Sequence, residues 1–158
     1  MKYSKTEIVK RSLIKEASYN PRKKSDEVVK KLIKNFKDVG YLGGIVVNKK
    51  EDHYLLISGH KRLEALDRIN KYTESKDYEI KIEVIELTEK QEKEQNIFMN
   101  AKSAQGEFDN ELLSDLLLEI DHDAAGLTDI DVSMIYIMDD KSPVMEYIED
   151  YFEQDDKI

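Results

Sequence analysis

Apolar residues recur at spacings of three and four between Ser25 and Gly40, which predicts an amphipathic helix. Ser25 can cap the first turn, and Asp26 and Glu27 put negative charge at the positive end of the helix. Gly40 is expected to end it. The apolar positions are Val29, Leu32, Ile33, Phe36 and Val39. The pattern therefore indicates a helix with one apolar and one solvated face.

Two short β-prone runs follow, at 45–47 and 54–57, and the polar segment 48–53 separates them as in a hairpin. A third run at 80–84 alternates apolar and charged residues, as a half-buried strand does. Between them, helical spacing returns directly after Gly59, at Leu63, Leu66 and Ile69. The chain thus passes from a strand through a glycine into the start of a helix.

Four more helices are predicted in the second half of the chain. Each has an apolar stripe or a cap residue: Thr88 before Glu89 to Ala101, leucines and an isoleucine over 112–120, Thr128 before 129–138, and Ser142-Pro143 before Val144, Tyr147, Ile148, Tyr151 and Phe152. The architecture is therefore expected to be α/β or α+β. A weak boundary near Gly106 to Asp109 divides a domain over 1–106 from a helical extension over 107–158, expected to pack on or beside it.

Charge is distributed unevenly along the chain. The formal net charge is −9, but residues 1–37 contain 12 Lys and Arg against 4 Asp and Glu, whereas residues 107–158 contain 2 against 17. A uniform DNA-coating surface is not expected, because phosphate binding needs clustered cations. The absence of cysteine excludes disulfides and thiolate chemistry. No apolar run is long enough to span a membrane, so a cytoplasmic protein without membrane partners is expected.

Ser58-Gly59-His60-Lys61-Arg62 is the segment with the clearest chemical potential. A helix that starts there would combine free backbone N–H groups, the positive end of the helix dipole and fixed cations, which suit phosphate oxygens. Glycine permits close approach of the backbone, and Arg62 can bind two oxygens at once. An ordinary glycine-started helix with a solvated basic first turn would have the same sequence.

Several ordered segments resemble the N-terminal domain of the ParB family, which shares its fold with sulfiredoxins and free-serine kinases. Ser12-Leu13-Ile14 is similar to the opening strand of the family, Tyr19 to Arg22 to its "NPR" turn, Gly40 to Val47 to its glycine-to-strand box, and Ile57 to Leu66 to its phosphate box. Gln95-Asn96 and Asn100 correspond to a helix with an "EN" pair. The resemblance implies a small mixed sheet with flanking helices over about residues 10–105.

The resemblance also implies a nucleotide site. Phosphates are expected at Gly59, His60, Lys61 and Arg62, and the other expected contacts are Asn20, Arg22, Gly40, Gly43, Gly44, Asn96 and Asn100. Asn96 and Asn100 would help to hold a metal through the bound nucleotide. The expected cofactor is CTP or ATP with Mg²⁺. Residues 100–113 look more like ParB-like domains of bacterial phages and mobile elements, and the expected role is a switch or accessory factor in their DNA metabolism.

Departures from the family pattern change the expected chemistry. His60 stands where sulfiredoxins have their cysteine, so sulfinic-acid reduction is not expected. Partition ParB proteins usually have glutamate at that position, and usually have proline where this chain has Gly43-Gly44. Any NTP hydrolysis is expected to be slow, because no carboxylate is placed by the sequence to orient water. The helix-turn-helix domain of partition proteins is not expected in the acidic residues 107–158.

The sequence also fits two other functions. His60 is a candidate general base, and a phosphotransferase resembling the serine kinases is the alternative function. A DNA-binding or nuclease protein is the third. Asp121-His122-Asp123 offers metal-ligand types, but adjacent residues rarely converge on one metal, so a polar loop after a leucine helix is the simpler account. Partners are expected to be a nucleotide, DNA or a DNA-processing protein, and a second copy of the chain.

Overall fold

The computed structural model describes residues 1–19, 25–101 and 105–138. The chain forms two compact units, Met1–Gln105 and Gly106–Ile158. The first contains a sheet and three α-helices, and the second contains two described helices. In both units, the described helices include none that is long and apolar enough to cross a membrane.

The first unit has five strands and a short 3₁₀ helix at Arg11–Leu13. The strands are β1 (Lys5–Lys10), β2 (Ile14–Glu16), β3 (Val46–Lys49), β4 (Tyr54–Ser58) and β5 (Glu79–Ile85). They form one sheet in the order β1-β5-β3-β4-β2. β1 with β5 and β3 with β4 are antiparallel, whereas β3 with β5 and β2 with β4 are parallel. The prediction of a small mixed sheet is confirmed.

The helices of the first unit are α1 (Asp26–Asp38), α2 (His60–Asn70) and α3 (Glu89–Phe98). Ser25 caps α1 as expected, because its Oγ accepts from the Val28 N–H at 3.5 Å. Thr88 caps α3 in a reciprocal capping box with Gln91. The prediction placed the end of this helix at Ala101, but α3 ends at Phe98. The N–H groups of residues 100 and 101 bond to carbonyls three residues back, which tightens the last turn.

The core lies between the sheet and the helices. Alternation along β5 buries Ile80, Ile82 and Val84 and leaves Lys81 exposed, as the sequence predicts. The buried cluster consists of Ile14, Ile45, Val47, Leu56, Leu63, Leu66, Ile80, Ile82 and Val84. Because the cluster includes residues of both β4 and α2, the core holds the end of β4 next to the start of α2.

The N-terminal strand differs from the expectation. Residues 12–14 were the expected opening strand, but β1 covers Lys5–Lys10 and only Ile14 belongs to β2. Ser12 is outside the sheet because Asp77 binds both its backbone N–H and its Oγ, at 3.1 and 2.6 Å. Arg11 forms two bonds to Asp67, at 2.7 and 3.0 Å. These contacts tie the 3₁₀ turn to α2 and to the segment before β5.

The second unit contains α4 (Asn110–Leu116) and α5 (Asp129–Met138), which contact each other. Asp109 caps α4 by accepting from the N–H groups of Glu111 and Leu112 at 3.0 and 3.2 Å. Thr128 caps α5, as predicted, by accepting from the Asp131 N–H at 3.0 Å. α4 is shorter than the 112–120 predicted from the apolar spacing. The helix predicted after Ser142-Pro143 lies outside the described residues.

Candidate functional site

The junction of β4 and α2 places a glycine at the start of a helix. Gly59 has φ +95° and is the N-cap of α2, and no side chain caps the helix. The first backbone bond of α2 runs from the Leu63 N–H to the Gly59 carbonyl at 2.8 Å. The amides of residues 60–62 therefore precede the hydrogen-bond ladder of the helix. Amides in this position are donors for an anion.

Gly59 packs against a second glycine segment. A Cβ on Gly59 would lie 2.6 Å from the Gly44 carbonyl oxygen and 2.9 Å from Ile45 Cγ1. No side chain fits there. Gly44 also has a positive φ, +99°, and a Cβ on it would meet Nε, Cδ and Cζ of Arg62 at 3.0 to 3.1 Å. The structure thus brings Gly44 together with Gly59 and Arg62, although Gly44 lies 15 or more residues before both in the sequence.

The cations at this junction differ from those elsewhere on the helix. Arg62 is exposed and Lys61 is half-buried, and neither forms an ion pair with a carboxylate among the residues that the structure describes. Arg68, two turns further on, pairs with Asp26 at 2.7 Å and with Glu64 at 2.9 Å. Two carboxylates therefore balance the positive charge of Arg68, whereas none among the described residues balances that of Arg62. His60 is buried, with 8% of its surface exposed.

A cleft of about 360 Å³ lies beside the glycine segment. Tyr41 forms part of its wall and donates a hydrogen bond to the Lys81 carbonyl at 3.0 Å. Burial raises the pKa of the Tyr41 hydroxyl, and the positive charge of Arg62 opposes that shift. The lining residues are Thr6, Tyr41, Leu42, Gly43, Gly44, Ile45, Lys81, Ile82 and Glu83. Gly40 and Gly43 have φ values of +108° and +99°, with open space where a Cβ would be.

Asn96 of α3 and Asn100, just beyond the end of that helix, both bond to the backbone. Asn96 is buried, with 2% exposed, and its Nδ2 donates to the Ile57 carbonyl at 3.3 Å. Its Oδ1 has no hydrogen-bond partner among the described residues. Asn100 Nδ2 donates to the Asn96 carbonyl at 2.9 Å. Asn96 thus attaches α3 to the end of β4, next to the turn that starts α2.

The family model for the ParB N-terminal domain matches residues 2–101. The chain belongs to this family. No curated protein sequence matched the chain. The second unit lies beyond the matched residues, so membership of the ParB N-terminal domain family describes the first unit.

Solved structures are similar to the chain to different degrees. The C-terminally truncated chromosome-partitioning protein ParB from Caulobacter crescentus, complexed with CTP-γ-S, has a TM-score of 0.60 and 18% identity, covering 85% of this chain and 78% of that chain. At this identity the likeness establishes the fold alone. The same protein complexed to the centromeric parS site has a TM-score of 0.46, with 19% identity over 91% and 77% of the two chains. Sulfiredoxin from Arabidopsis thaliana has a TM-score of 0.44, with 20% identity over 56% and 96%.

In this ParB N-terminal domain, Glu92 forms a buried polar cluster that sequence reasoning missed. Glu92 is 3% exposed and lies one turn before Asn96 on α3. Its carboxylate accepts from Asn48 Nδ2 at 2.7 Å, from Lys50 Nζ at 2.7 Å and from the Tyr19 hydroxyl at 2.8 Å. Asn48 also bonds to the Leu87 N–H and carbonyl, at 2.8 and 3.2 Å. One carboxylate therefore joins the start of α3, the end of β3 and the segment at Tyr19.

The electrostatics of this cluster follow from its hydrogen bonds. Burial alone would raise the pKa of Glu92, but the bonds from Lys50, Asn48 and Tyr19 and the charge of Lys50 together lower it below its ordinary value. Burial and the neighbouring carboxylate raise the pKa of the Tyr19 hydroxyl. The cluster therefore keeps an ionised carboxylate and a neutral phenol at neutral pH. A glutamate three residues into a polar helix gives no sequence signal of this role.

Two of the expected site residues lie outside the described residues, namely Asn20 and Arg22. Tyr19, which Glu92 binds, directly precedes them in sequence. In the second unit, the residues with metal-ligand atoms close together are not Asp121, His122 and Asp123, because Asp129 takes the place of Asp121. There, ligand atoms of His122, Asp123 and Asp129 lie within 4.8 Å of one another, and His122 Nε2 is 2.9 Å from Asp129 Oδ1. Both carboxylates of this set are exposed.

Proposed function

We propose that this chain binds a nucleoside triphosphate, with its phosphates at the N-terminus of α2, and acts as a nucleotide-dependent switch or accessory factor in DNA metabolism. The main support is the junction of Gly44, Gly59 and Arg62. Two backbone segments meet there without side chains between them, and a cation without a carboxylate partner among the described residues lies alongside. Family membership points the same way, because the structurally similar ParB from Caulobacter crescentus is complexed with CTP-γ-S.

The proposed contacts follow from the chemistry of each residue. The amides of residues 60–62 donate to phosphate oxygens, and Lys61 and Arg62 supply positive charge. The bare backbone at Gly44 and Gly59 fits a phosphate chain, because a Cβ at Gly59 would collide with the Gly44 carbonyl and displace the turn. Gly40, Gly43 and Gly44 border the base beside the cleft of Tyr41. Asn20 and Arg22 are further proposed contacts, because their segment resembles the "NPR" turn of the family.

Asn96 and Asn100 have a supporting role in this proposal. The amide nitrogens of both residues donate to backbone carbonyls, and the bond from Asn96 orients the end of β4. The Oδ1 of Asn96 has no partner among the described residues and is a proposed acceptor. CTP is the first candidate ligand and ATP the second, each with Mg²⁺. His60 is the candidate for any proton transfer, and hydrolysis is expected to be slow. The proposed setting is a bacterial phage or another mobile element.

Isothermal titration of the full chain with CTP or ATP in the presence of Mg²⁺ tests the proposal. We expect heat of binding in the wild type and its loss in Arg62→Ala. Arg68→Ala is a matched control, because Arg68 is on the same helix but pairs with Asp26 and Glu64. Absence of heat with both nucleotides, or equal binding by Arg62→Ala and the wild type, would contradict the proposal.

DNA or a DNA-processing protein is the proposed downstream partner. Residues 1–37 hold the excess of basic residues, and β1 presents Lys5 and Lys10 at the edge of the sheet. A contact of this kind would be electrostatic and would weaken steeply with salt. A gel shift with and without nucleotide, repeated at two salt concentrations, measures it. A shift that nucleotide does not change would argue against a switch.

A further inference from the structure

The second unit presents apolar side chains to solvent in two regular stripes. On α4 and the turn after it, Leu112, Leu116 and Ile120 follow at intervals of four and are 63%, 51% and 45% exposed. On α5, three more residues follow at the same interval: Ile130, Met134 and Met138, which are 75%, 51% and 64% exposed. Residues four apart lie on one face of a helix, which applies to Leu112 and Leu116 on α4 and to the three residues on α5. We call these six residues the apolar stripes.

The apolar stripes are not the surface through which the two helices meet. Less exposed residues alternate with them: Leu113 and Ser114 on α4, Leu117 at its C-cap, and Val132, Ile135 and Tyr136 on α5. The helices contact each other. Their internal packing is therefore supplied by other positions, and the described residues of the second unit leave the stripes uncovered. Regular rows of exposed apolar side chains are typical of binding surfaces.

An acidic row runs beside the stripe of α4. Glu111, Asp115 and Glu119 each directly precede a stripe residue, at the same interval of four. Asp129 and Asp131 flank Ile130 in the first turn of α5. Residues 106–138 contain nine Asp and Glu and no Lys or Arg. A molecule that covers the stripes must therefore bring apolar groups to the helices and positive charge to their margins.

Charge argues against three candidate occupants. A second copy would bring acidic rows against acidic rows, and like charges across an interface are costly. Residues 139–158 contain eight Asp and Glu against two Lys, so their net charge is negative, like that of the acidic residues beside the stripes. Nucleic acid is repelled for the same reason. A basic segment of another protein satisfies both requirements.

We infer that the apolar stripes dock a basic amphipathic helix from a partner protein. Such a helix offers apolar residues at intervals of three and four and Lys or Arg beside them, the complement of the α4 surface. Met134 and Met138 suit this role, because flexible thioether side chains adapt to partners of different shape. This function is separate from nucleotide binding and uses only residues of the second unit.

Fluorescence anisotropy with synthetic 18-residue peptides tests the inference on the full chain. The probe peptide has leucine at helical intervals of three and four and lysine elsewhere. One comparison peptide has the same composition with the leucines spread around the helix, and another has glutamate in place of lysine. We expect the probe peptide to bind at least about tenfold more tightly than either comparison peptide, because only it matches both the stripes and the charge.

Two double variants separate the apolar contribution from the charge. Leu112→Ser with Met134→Ser should weaken binding of the probe peptide about tenfold, and Glu111→Gln with Asp115→Asn should weaken it and reduce its salt dependence. Ile8→Ser, an equally exposed apolar position on β1, and Glu74→Gln are the matched controls and should leave binding unchanged. Circular dichroism checks that each variant is folded, which the exposure of these positions favours.

The inference fails if the spread peptide binds as tightly as the probe peptide, because the attraction is then charge alone. It also fails if the Leu112 and Met134 variant binds unchanged. Self-association of the wild type in sedimentation, abolished by that same variant, would assign the stripes to a second copy instead. None of these results depends on whether the chain binds nucleotide.

Discussion

The backbone of Gly59 lies directly against the carbonyl of Gly44, so close that a single added carbon at Gly59 would be 2.6 Å from that oxygen. The two residues belong to separate segments, one entering β3 and one leaving β4. Their contact fixes the distance between the glycine segment and the start of α2. The proposed phosphate site depends on this distance, and so do the first predictions.

Gly59→Ala should destabilise the domain by about 1–3 kcal/mol, because alanine must adopt φ +95° and its Cβ must displace the Gly44 carbonyl. Urea unfolding measures the change. Gly106→Ala is the control, since a Cβ there meets nothing within 4 Å and the backbone has no positive φ. Equal stability of the wild type and Gly59→Ala would mean that the two segments separate easily.

Arg62→Lys should weaken nucleotide binding about tenfold while retaining a positive charge, because lysine cannot bind two phosphate oxygens in a fixed fork. Calorimetric titration gives the affinity, and Arg68→Lys serves as the control. If lysine fully replaces Arg62, the residue acts through its charge alone.

Glu92→Gln should cost about 1–3 kcal/mol at neutral pH, because three donors converge on an ionised carboxylate. The folded-state pKa of Glu92 is lowered, so its contribution to stability is present above the unfolded-state pKa and is lost as pH falls through the folded-state value. The difference between the wild type and Glu92→Gln should therefore shrink below about pH 4.

Urea unfolding at pH 7 and at pH 3.5 measures this dependence on pH. Glu94→Gln on the same helix is the control, because the side chain of Glu94 is exposed and lies 3.7 Å from Lys90. A difference between the wild type and Glu92→Gln that stays constant with pH would show that the carboxylate's charge is not what stabilises the cluster.

Asp67→Asn should destabilise the domain by about 1–3 kcal/mol, because Asp67 binds Arg11 through two bonds and accepts from the Tyr78 hydroxyl at 2.6 Å. Asparagine would place an N–H group toward one of these donors. Asp38→Asn, which removes only the exposed pair with Lys34, should change stability by less than about 1 kcal/mol. Thermal unfolding followed by circular dichroism distinguishes the two.

The elements that the sequence predicted are those with local signals. Ser25 and Thr88 indicate the starts of their helices, because a cap residue needs no distant partner. Apolar and charged residues alternate along β5 because one face of the strand is buried. β1 has no such signal. Ile8 is 68% exposed and the strand is rich in charge, so its strand conformation depends on β5. The short β2 likewise depends on β4 beside it.

The candidate site divides in the same way. Gly59, Lys61 and Arg62 could be chosen from the sequence, because a strand, a glycine and a basic helix start are adjacent in the chain. The contact between Gly44 and Arg62 depends on tertiary packing, and the cluster at Glu92 depends on three segments meeting. A buried glutamate and a surface glutamate look alike in sequence, so Glu92 could not be distinguished from Glu94.

The position of β1 at the edge of the sheet has a consequence during synthesis. Lys10 pairs with Glu79, so β1 leaves the ribosome about 70 residues before its neighbour exists. At roughly 5–20 residues per second, it waits about 3–14 seconds unpaired. Lys5, Glu7 and Lys10 keep this waiting strand soluble, since charged side chains on an open strand discourage pairing with the wrong partner. The charged residues that make β1 hard to predict from the sequence thus also disfavour wrong strand pairing until β5 emerges.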